Sequence, residues 1–189
     1  MSARRKPLSF DTDEFVHGDA TALDFAKLRP VFQKGGTVTA GNASGINDGA
    51  AAFILASEAA VKAHSLKPIA RLVAYGHAGV EPAYMGIGPV PATRSALARA
   101  NLTVEDLDVI EFNEAFAAQA CAVARELGFD SAKVNPNGSG ISLGHPVGAT
   151  GAIVTTKLMY ELQRVQGRFG LTTICIGGGQ RIAAVWERL

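Results

Sequence analysis

Cysteine is scarce in this chain, with only Cys121 and Cys175 among 189 residues. Two thiols are too few for a disulfide framework or for a structural zinc site with several cysteine ligands. Unpaired cysteines are typical of a reducing compartment, so we expect a cytoplasmic protein without a bound metal.

An excess of charge of one sign is also missing. The 18 Lys and Arg residues are balanced by 17 Asp and Glu residues, and the net charge is +1. A near-neutral chain has no electrostatic attraction for nucleic acid or for an anionic membrane surface, and we expect neither as a partner. No apolar run approaches the length of a membrane span, and no signal-peptide pattern is visible. The chain does contain 48% hydrophobic residues and 21 glycines, which is typical of a globular protein packed through small residues.

Strand-like and helix-like segments alternate along the chain, which predicts an α/β fold. Loops are predicted over 81–92 and 134–140, where Gly and Pro interrupt regular structure. Strands joined through helices should be parallel, and the last two strands, joined by glycines, should be antiparallel. The pattern predicts strands over residues 49–56, 70–79, 107–112, 171–176 and 182–189, and helices over 24–28, 57–63, 93–100, 114–127 and 153–166.

Three loops that follow predicted strands carry the reactive side chains Asn113, His145 and Cys175. In open α/β sheets, sites gather at the carboxyl ends of strands. An asparagine exchanges hydrogen bonds, a histidine exchanges a proton near neutral pH, and a cysteine is a nucleophile or base once its thiolate is stabilised. The glycines after Cys175 leave backbone N–H groups free to face an oxyanion.

Each of these residues also has a purely structural interpretation. Asn113 could cap the helix that follows it, His145 could belong to a turn, and Cys175 could be a core residue. We assign Cys121, inside a predicted helix, to the core. Chemistry is favoured because three reactive residue types occur at three strand ends, each next to small residues, as in SLGHPVGATGA around His145.

The glycine-rich stretch GSGISLG, residues 138–144, is a weak candidate for a dinucleotide-binding loop. Its spacing is G-x-G-x-x-x-G, whereas the dinucleotide fingerprint is G-x-G-x-x-G. The segment about 20 residues further on lies within a predicted helix, where the fingerprint requires an acidic residue at the end of a strand. The spacing therefore argues against a dinucleotide site.

Several motifs, taken in order, resemble the thiolase family. NEAF (113–116), GHP (144–146) and CIGGG (175–179) resemble the signature regions of the C-terminal half of thiolases. TVTAGNASGINDGAAA (37–52) and MGIGPVPA (85–92) resemble segments that line the channel for the pantetheine arm of coenzyme A. The resemblance extends from residue 11 to residue 189 and is nearest to bacterial biosynthetic β-ketothiolases. It implies a thiolase-like fold with a mixed five-stranded sheet and helices on both faces.

The resemblance implies reversible condensation of acetyl-CoA with an acyl-CoA, or thiolysis of a 3-ketoacyl-CoA. Coenzyme A and acyl-CoA would be substrates, with no permanently bound cofactor. Motif matching makes Cys175 the acid/base cysteine. His145 would activate a nucleophilic cysteine and bind the thioester oxygen together with a water held by Asn113. The N–H of Gly177 would help form a second oxyanion hole. The residues that would line the substrate channel are Phe32, Ala40, Ser44, Met85, Ala115 and Phe116.

The sequence departs from the family pattern in two places. The family's nucleophilic cysteine lies in the N-terminal half, and neither cysteine here matches it. The resemblance therefore divides the chain into a loop-domain remnant (1–36), the last strand and helix of an N-terminal domain (37–66) and a C-terminal domain (67–189). We expect an N-terminal thiolase half as a partner, and a homo-oligomer, dimer or tetramer, of the complete enzyme. The second departure is Arg181, at a position where relatives usually have glycine.

Two other functions remain to be weighed against catalysis. The chain could be a non-catalytic, truncated thiolase-like module, although decay should have removed Asn113, His145 and Cys175 first. Condensing enzymes of the ketoacyl synthase type share the fold, but they lack a second cysteine in a C-x-G motif, so Cys175 with Gly177 argues against them.

Overall fold

The computed structural model describes residues 9–189, and its centre is a four-stranded sheet in the order β1-β4-β3-β2. The strands β1 and β4 pair antiparallel, as do β3 and β4, whereas β2 and β3 pair parallel. The prediction of a mixed sheet with an antiparallel final pair is confirmed. The strands are Ala70–Gly79 (β1), Val109–Phe112 (β2), Phe169–Cys175 (β3) and Gln180–Arg188 (β4).

Helices cover both faces of this sheet. On one face, Ala92, Ala96 and Leu97 of α3 pack against apolar side chains that include Val185. On the other face, Leu158 and Leu162 of α6 pack against Val109 and Trp186. Because Val185 and Trp186 are neighbours in β4, they point to opposite faces and separate the two layers. The helices are Ala22–Lys27 (α1), Glu58–Ala63 (α2), Pro89–Ala100 (α3), Ala117–Leu127 (α4), Gly140–Leu143 (α5) and Thr150–Val165 (α6).

The prediction of a five-stranded sheet is wrong, because the sheet within residues 9–189 has four strands and a side chain occupies the free edge of β2. Val134 forms only an isolated bridge with Ile110 of β2. Asn135 follows it with φ +43°, and Pro136 has no backbone N–H, so the chain cannot continue a ladder. The Asn135 carboxamide instead accepts from Phe112 N at 2.9 Å and donates to Phe112 O at 3.0 Å. One amide side chain thus satisfies the exposed edge of β2.

The prediction of a buried strand over 49–56 is also wrong. The segment forms no regular secondary structure and is exposed, with Ile54 90% accessible to solvent. An apolar run becomes a strand only when a sheet edge is available to it, and within residues 9–189 it pairs with neither β1 nor β2. The predicted division into 1–36, 37–66 and 67–189 stays a prediction, and residues 1–8 lie outside the described chain.

Several helices begin at residues other than those predicted; α1 begins at Ala22 instead of 24, and α6 at Thr150 instead of 153. The loop prediction for 81–92 is wrong, because a 3₁₀ turn covers Pro82–Ile87 and α3 already begins at Pro89. Proline is tolerated there because the first-turn N–H groups of a helix have no intrahelical partner. Helix α4 begins at Ala117 rather than at 114, because Phe116 is extended and forms an antiparallel bridge with Ala43. None of the helices within residues 9–189 is long and apolar enough to span a membrane.

The contact between β1 and α3 depends on Gly76, and replacing it with alanine should destabilise the chain. A Cβ at Gly76 would lie 2.5 Å from the Ala92 carbonyl oxygen and 2.6 Å from the Ala96 nitrogen, both in the backbone of α3. Because the helix has to move, we expect Gly76→Ala to lower the free energy of unfolding by about 1–3 kcal/mol. Gly79→Ala is the matched control, because nothing lies within 4 Å of its Cβ in the same strand. Equal urea midpoints for the two variants would contradict this prediction.

Candidate active site

A cavity of about 460 Å³ opens where β3 ends. Cys175 ends β3, and Gly177 lies in the loop that follows it. His145, from the loop before α6, lines the same cavity. Each of the predicted channel residues also lies in its wall, namely Phe32, Ala40, Ser44, Met85, Ala115 and Phe116. The structure therefore brings three of the four predicted catalytic residues together with the complete predicted channel set.

Residues 42–47 form one wall of the cavity and connect the NEAF and GHP loops. Ser44 N donates to Ala115 O at 2.9 Å, and Ala117 N donates to Asn42 O at 2.8 Å. At the other end, His145 N donates to the Asn47 Oδ1 at 3.0 Å. The segment has no regular secondary structure, but backbone hydrogen bonds hold it on one side and the Asn47 side chain holds it on the other. Its placement explains how residues about 100 positions apart in sequence share one cavity.

The Cys175 thiol is buried at the inner end of the cavity. Burial raises the pKa of this thiol above its ordinary value of 9.0, and the positive charge of Arg181 acts in the opposite direction. Raised by burial, the pKa keeps the thiol protonated near neutral pH. Cys175 can therefore supply a proton, and the thiolate left behind can then remove one from a substrate.

Arg181 does not point to solvent, since it is only 1% exposed. Its guanidinium donates to the carbonyl oxygens of Ile176, Gln180 and Met85, so it binds both ends of the CIGGG loop and the adjacent 3₁₀ turn. A Cβ on Gly88 would overlap the arginine side chain, so Gly88 provides the space that Arg181 fills. The arginine is thus a structural part of the loop that carries Cys175 and Gly177.

His145 is half-buried, and burial lowers the pKa of its imidazole below the ordinary value of 6.5. The ring is therefore neutral near pH 7 and can accept a proton. Its Nδ1 lies 2.7 Å from the hydroxyl oxygen of Thr150, the first residue of α6. The other ring nitrogen, Nε2, is the one available to the cavity.

Asn113 is the predicted catalytic residue that does not line the main cavity. Its side chain is buried beneath Gly140, where a Cβ would come within 2.7 Å of Asn113 Oδ1. It lines a second cavity of about 20 Å³ that Gly144 and Thr150 also line. Neither carboxamide atom of Asn113 has a hydrogen-bond partner within residues 9–189. A buried amide of this kind calls for a small polar guest such as water.

The prediction that Cys121 belongs to the core is wrong. It is exposed on α4, because its position on the helix faces away from the buried residues Val123 and Leu127. Asn47 and Thr150, which contact His145, were not singled out in the sequence. Asn47 lies within the predicted loop GNASGIND (41–48), and Thr150 lies five residues after His145. Neither position in the sequence generally indicates a contact with a histidine.

Two known protein-family patterns match the sequence of this chain. The family described as "Thiolase, C-terminal domain" matches residues 66–188, and "Thiolase, N-terminal domain" matches residues 1–59. The first match alone covers more than half of the chain, so the chain belongs to the thiolase family.

Individual relatives are similar over nearly the whole chain. It is 67% identical over 187 residues to beta-ketothiolase BktB of Cupriavidus necator, a match that covers 98% of the chain and 48% of that protein. It is 55% identical over 186 residues to an acetyl-CoA acetyltransferase of Escherichia coli, covering 98% of the chain and 47% of that protein. The chain therefore spans about half the length of the curated relatives that it matches.

Solved structures show the same relation. The crystal structure of the Bacillus anthracis acetyl-CoA acetyltransferase matches with a TM-score of 0.91 at 50% identity, covering 100% of this chain and 48% of that chain. Human mitochondrial 3-ketoacyl-CoA thiolase in complex with CoA matches with a TM-score of 0.86 at 44% identity, covering 95% and 46%. The thiolase-like fold predicted from the motifs is confirmed, apart from the number of strands.

Proposed function

We propose that this chain supplies the acid/base part of a thiolase active site that condenses acetyl-CoA with an acyl-CoA or, in reverse, cleaves a 3-ketoacyl-CoA with coenzyme A. The observation that carries the proposal is the convergence of Cys175, His145 and Gly177 on one largely apolar cavity. A cavity of this kind accepts an acyl chain and a pantetheine arm, while its few polar groups orient the thioester.

Each group has a role that follows from its position. In the condensing direction, the Cys175 thiol first gives its proton to the coenzyme A thiolate that leaves when the nucleophilic cysteine is acylated. The Cys175 thiolate then removes a proton from the methyl group of acetyl-CoA. The resulting carbanion attacks the acyl thioester carbonyl, whose C–S bond breaks to release the nucleophilic cysteine as its thiolate. Hydrogen-bond donors at the enolate oxygen lower the barrier to proton removal. His145, with a water on the unpartnered Asn113 amide, is the donor pair for that oxygen, and Gly177 N–H serves the second thioester oxygen.

The acylated nucleophile has to come from outside the described cavity wall. Within residues 9–189, Cys175 is the one cysteine that lines the cavity, and Cys121 is exposed on α4. We assign the nucleophile to an N-terminal thiolase half, present as a separate chain or as further sequence. The exposed apolar residues Phe53, Ile54 and Leu55 support this, because an apolar patch of this kind usually marks a contact surface. A homo-oligomeric enzyme, dimer or tetramer, in the cytoplasm belongs to the same proposal.

Names of the relatives support the substrate class. They include a beta-ketothiolase, acetyl-CoA acetyltransferases and a 3-ketoacyl-CoA thiolase solved with CoA. We therefore propose acyl-CoA and coenzyme A as substrates, with no permanently bound cofactor. A non-catalytic thiolase-like module is the second candidate, and it is favoured by the presence of a single cysteine in the cavity wall within residues 9–189.

The test is acetoacetyl-CoA thiolysis by the purified chain, measured as substrate loss after addition of coenzyme A. We expect negligible turnover by the chain alone and restored turnover when the N-terminal half of a thiolase is added. Turnover by the chain alone would contradict the need for a second thiol, and Cys121→Ala would then show whether Cys121 serves as nucleophile. Absence of turnover in both conditions would contradict catalysis and favour the non-catalytic module.

A further inference from the structure

Thr150 connects His145 to the backbone of its own loop. Its hydroxyl oxygen lies 2.7 Å from His145 Nδ1 and 2.9 Å from the carbonyl oxygen of Pro146. Thr150 is buried and lines the small cavity beside Asn113, whereas His145 lines the large cavity. Both contacts have the length of ordinary hydrogen bonds.

The number of available hydrogens indicates which atom donates in each of these two hydrogen bonds. The Pro146 carbonyl carries no proton, and it also accepts from the N–H groups of Ala149 at 2.8 Å and Thr150 at 2.9 Å. Its 2.9 Å contact with the Thr150 hydroxyl joins two oxygens, and this contact is favourable when the hydroxyl hydrogen lies between them. A hydroxyl has one hydrogen, so once that hydrogen points to Pro146 the oxygen can only accept from the imidazole. The hydrogen of neutral His145 must then be on Nδ1. The opposite arrangement would leave two oxygen lone pairs facing each other in a buried place.

We propose that Thr150 is a positioning residue that fixes neutral His145 as the Nδ1–H tautomer and leaves Nε2 as an unprotonated base facing the large cavity. The role of Nε2 as a catalytic base rests on the proposed function, whereas the tautomer of His145 is inferred from its contacts alone. In a thiolase, Nε2 would take the proton of the nucleophilic thiol and then, carrying that proton, donate to the thioester oxygen. Nε2 thus first accepts the proton and later donates it, while Thr150 bonds to Nδ1 and keeps the ring in place.

The test is ¹⁵N NMR of the His145 ring nitrogens in the intact chain near neutral pH, where the lowered pKa leaves the ring uncharged. Protonated and unprotonated imidazole nitrogens have well-separated shifts. The His145 signals are those missing from His145→Gln, which separates them from His17, His64 and His77. We expect the Nδ1–H tautomer in the wild-type chain and in Thr150→Ser, which keeps the hydroxyl. Thr150→Val keeps the shape but removes the acceptor, so we expect its His145 to shift toward the Nε2–H form.

Either of two results would overturn the proposal. One is an Nε2–H tautomer in the wild-type chain, a measurement that needs no variant to fold. The other is an unchanged Nδ1–H tautomer in a folded Thr150→Val. The NMR measurement does not depend on turnover. A negative thiolysis assay would therefore contradict the proposed function without contradicting the proposed tautomer. If the reconstituted enzyme is active, Thr150→Val should lower kcat more than it raises KM, and Thr150→Ser should restore kcat.

Discussion

Replacement of Cys175 by alanine is expected to lower thiolysis by the reconstituted enzyme about 10²–10⁴-fold, the usual range for loss of a general acid or base. Cys175 is the one thiol in the described cavity wall, and no neighbouring side chain there offers a proton at the same place. The loss should appear in kcat, because the proton is transferred in the chemical step and not on binding. The assay is acetoacetyl-CoA cleavage with an excess of the N-terminal half.

Cys121→Ala is the matched control for this experiment. It removes the same side chain from an exposed position on α4 that does not line the cavity, so activity should stay close to that of the wild type. Urea unfolding of both variants separates a chemical effect from loss of structure. Similar activities for the two alanine variants would remove Cys175 from the mechanism.

Lys157→Met is expected to destabilise the chain by about 3–5 kcal/mol, because it leaves a buried carboxylate without its partner. Glu111 in β2 is fully buried, and its Oε2 accepts from Lys157 Nζ of α6 at 2.7 Å. The same ammonium donates to the carbonyl of Gly138, in the loop that leads to His145. The pair therefore joins the sheet, α6 and the beginning of the active-site loop. Chemical denaturation measures the loss.

The loss should depend on pH in a defined direction. Burial raises the pKa of Glu111 above its ordinary value of 4.5, and Lys157 opposes this rise. A raised pKa means that the contribution of Glu111 to stability is complete below 4.5 and is lost as the pH rises through the folded-state pKa. Without Lys157 the pKa rises further, so the deficit of Lys157→Met should be larger near pH 8 than near pH 5.

Lys62→Met is the control for this pair. Lys62 bonds to Glu58 one turn away on α2, and both side chains are largely exposed. Its removal should change stability by no more than about 0.5 kcal/mol. The double variant Lys157→Met, Glu111→Gln removes the buried charge and should recover part of the loss. Equal effects of Lys157→Met and Lys62→Met would show that the buried pair contributes little.

The span of β1 and the position of Cys175 near the end of β3 could be predicted from the sequence. Strand β1 matches its predicted span, and Cys175 lies at the end of β3 as the apolar run before the glycines indicated. The reason is local, since glycine and proline near the ends of a run limit how far a strand can extend, although the strand forms only when a sheet edge is available. Within residues 9–189, no strand lies beyond β2, because the Asn135 side chain bonds to that edge, and no period of hydrophobicity reveals such a contact.

The candidate site divides in the same way. Cys175, His145 and Asn113 could be picked out because each reactive residue type stands at a strand end beside small residues. Their partners could not be picked out. Asn47 reaches His145 across 98 positions of sequence, and Arg181 fits only because Gly88 leaves it space.

The sequence by itself determined the family, the α/β class and the candidate residues for the chemistry, because motifs and periodicity are written along the chain. Tertiary structure alone decided the number of strands, the exposure of Cys121 and of residues 49–56, and the placement of Asn113 in a separate small cavity. It also decided the hydrogen bond that orients His145. These depend on which distant groups meet, and such contacts are fixed by packing and by the pairing of buried polar atoms rather than by any local pattern.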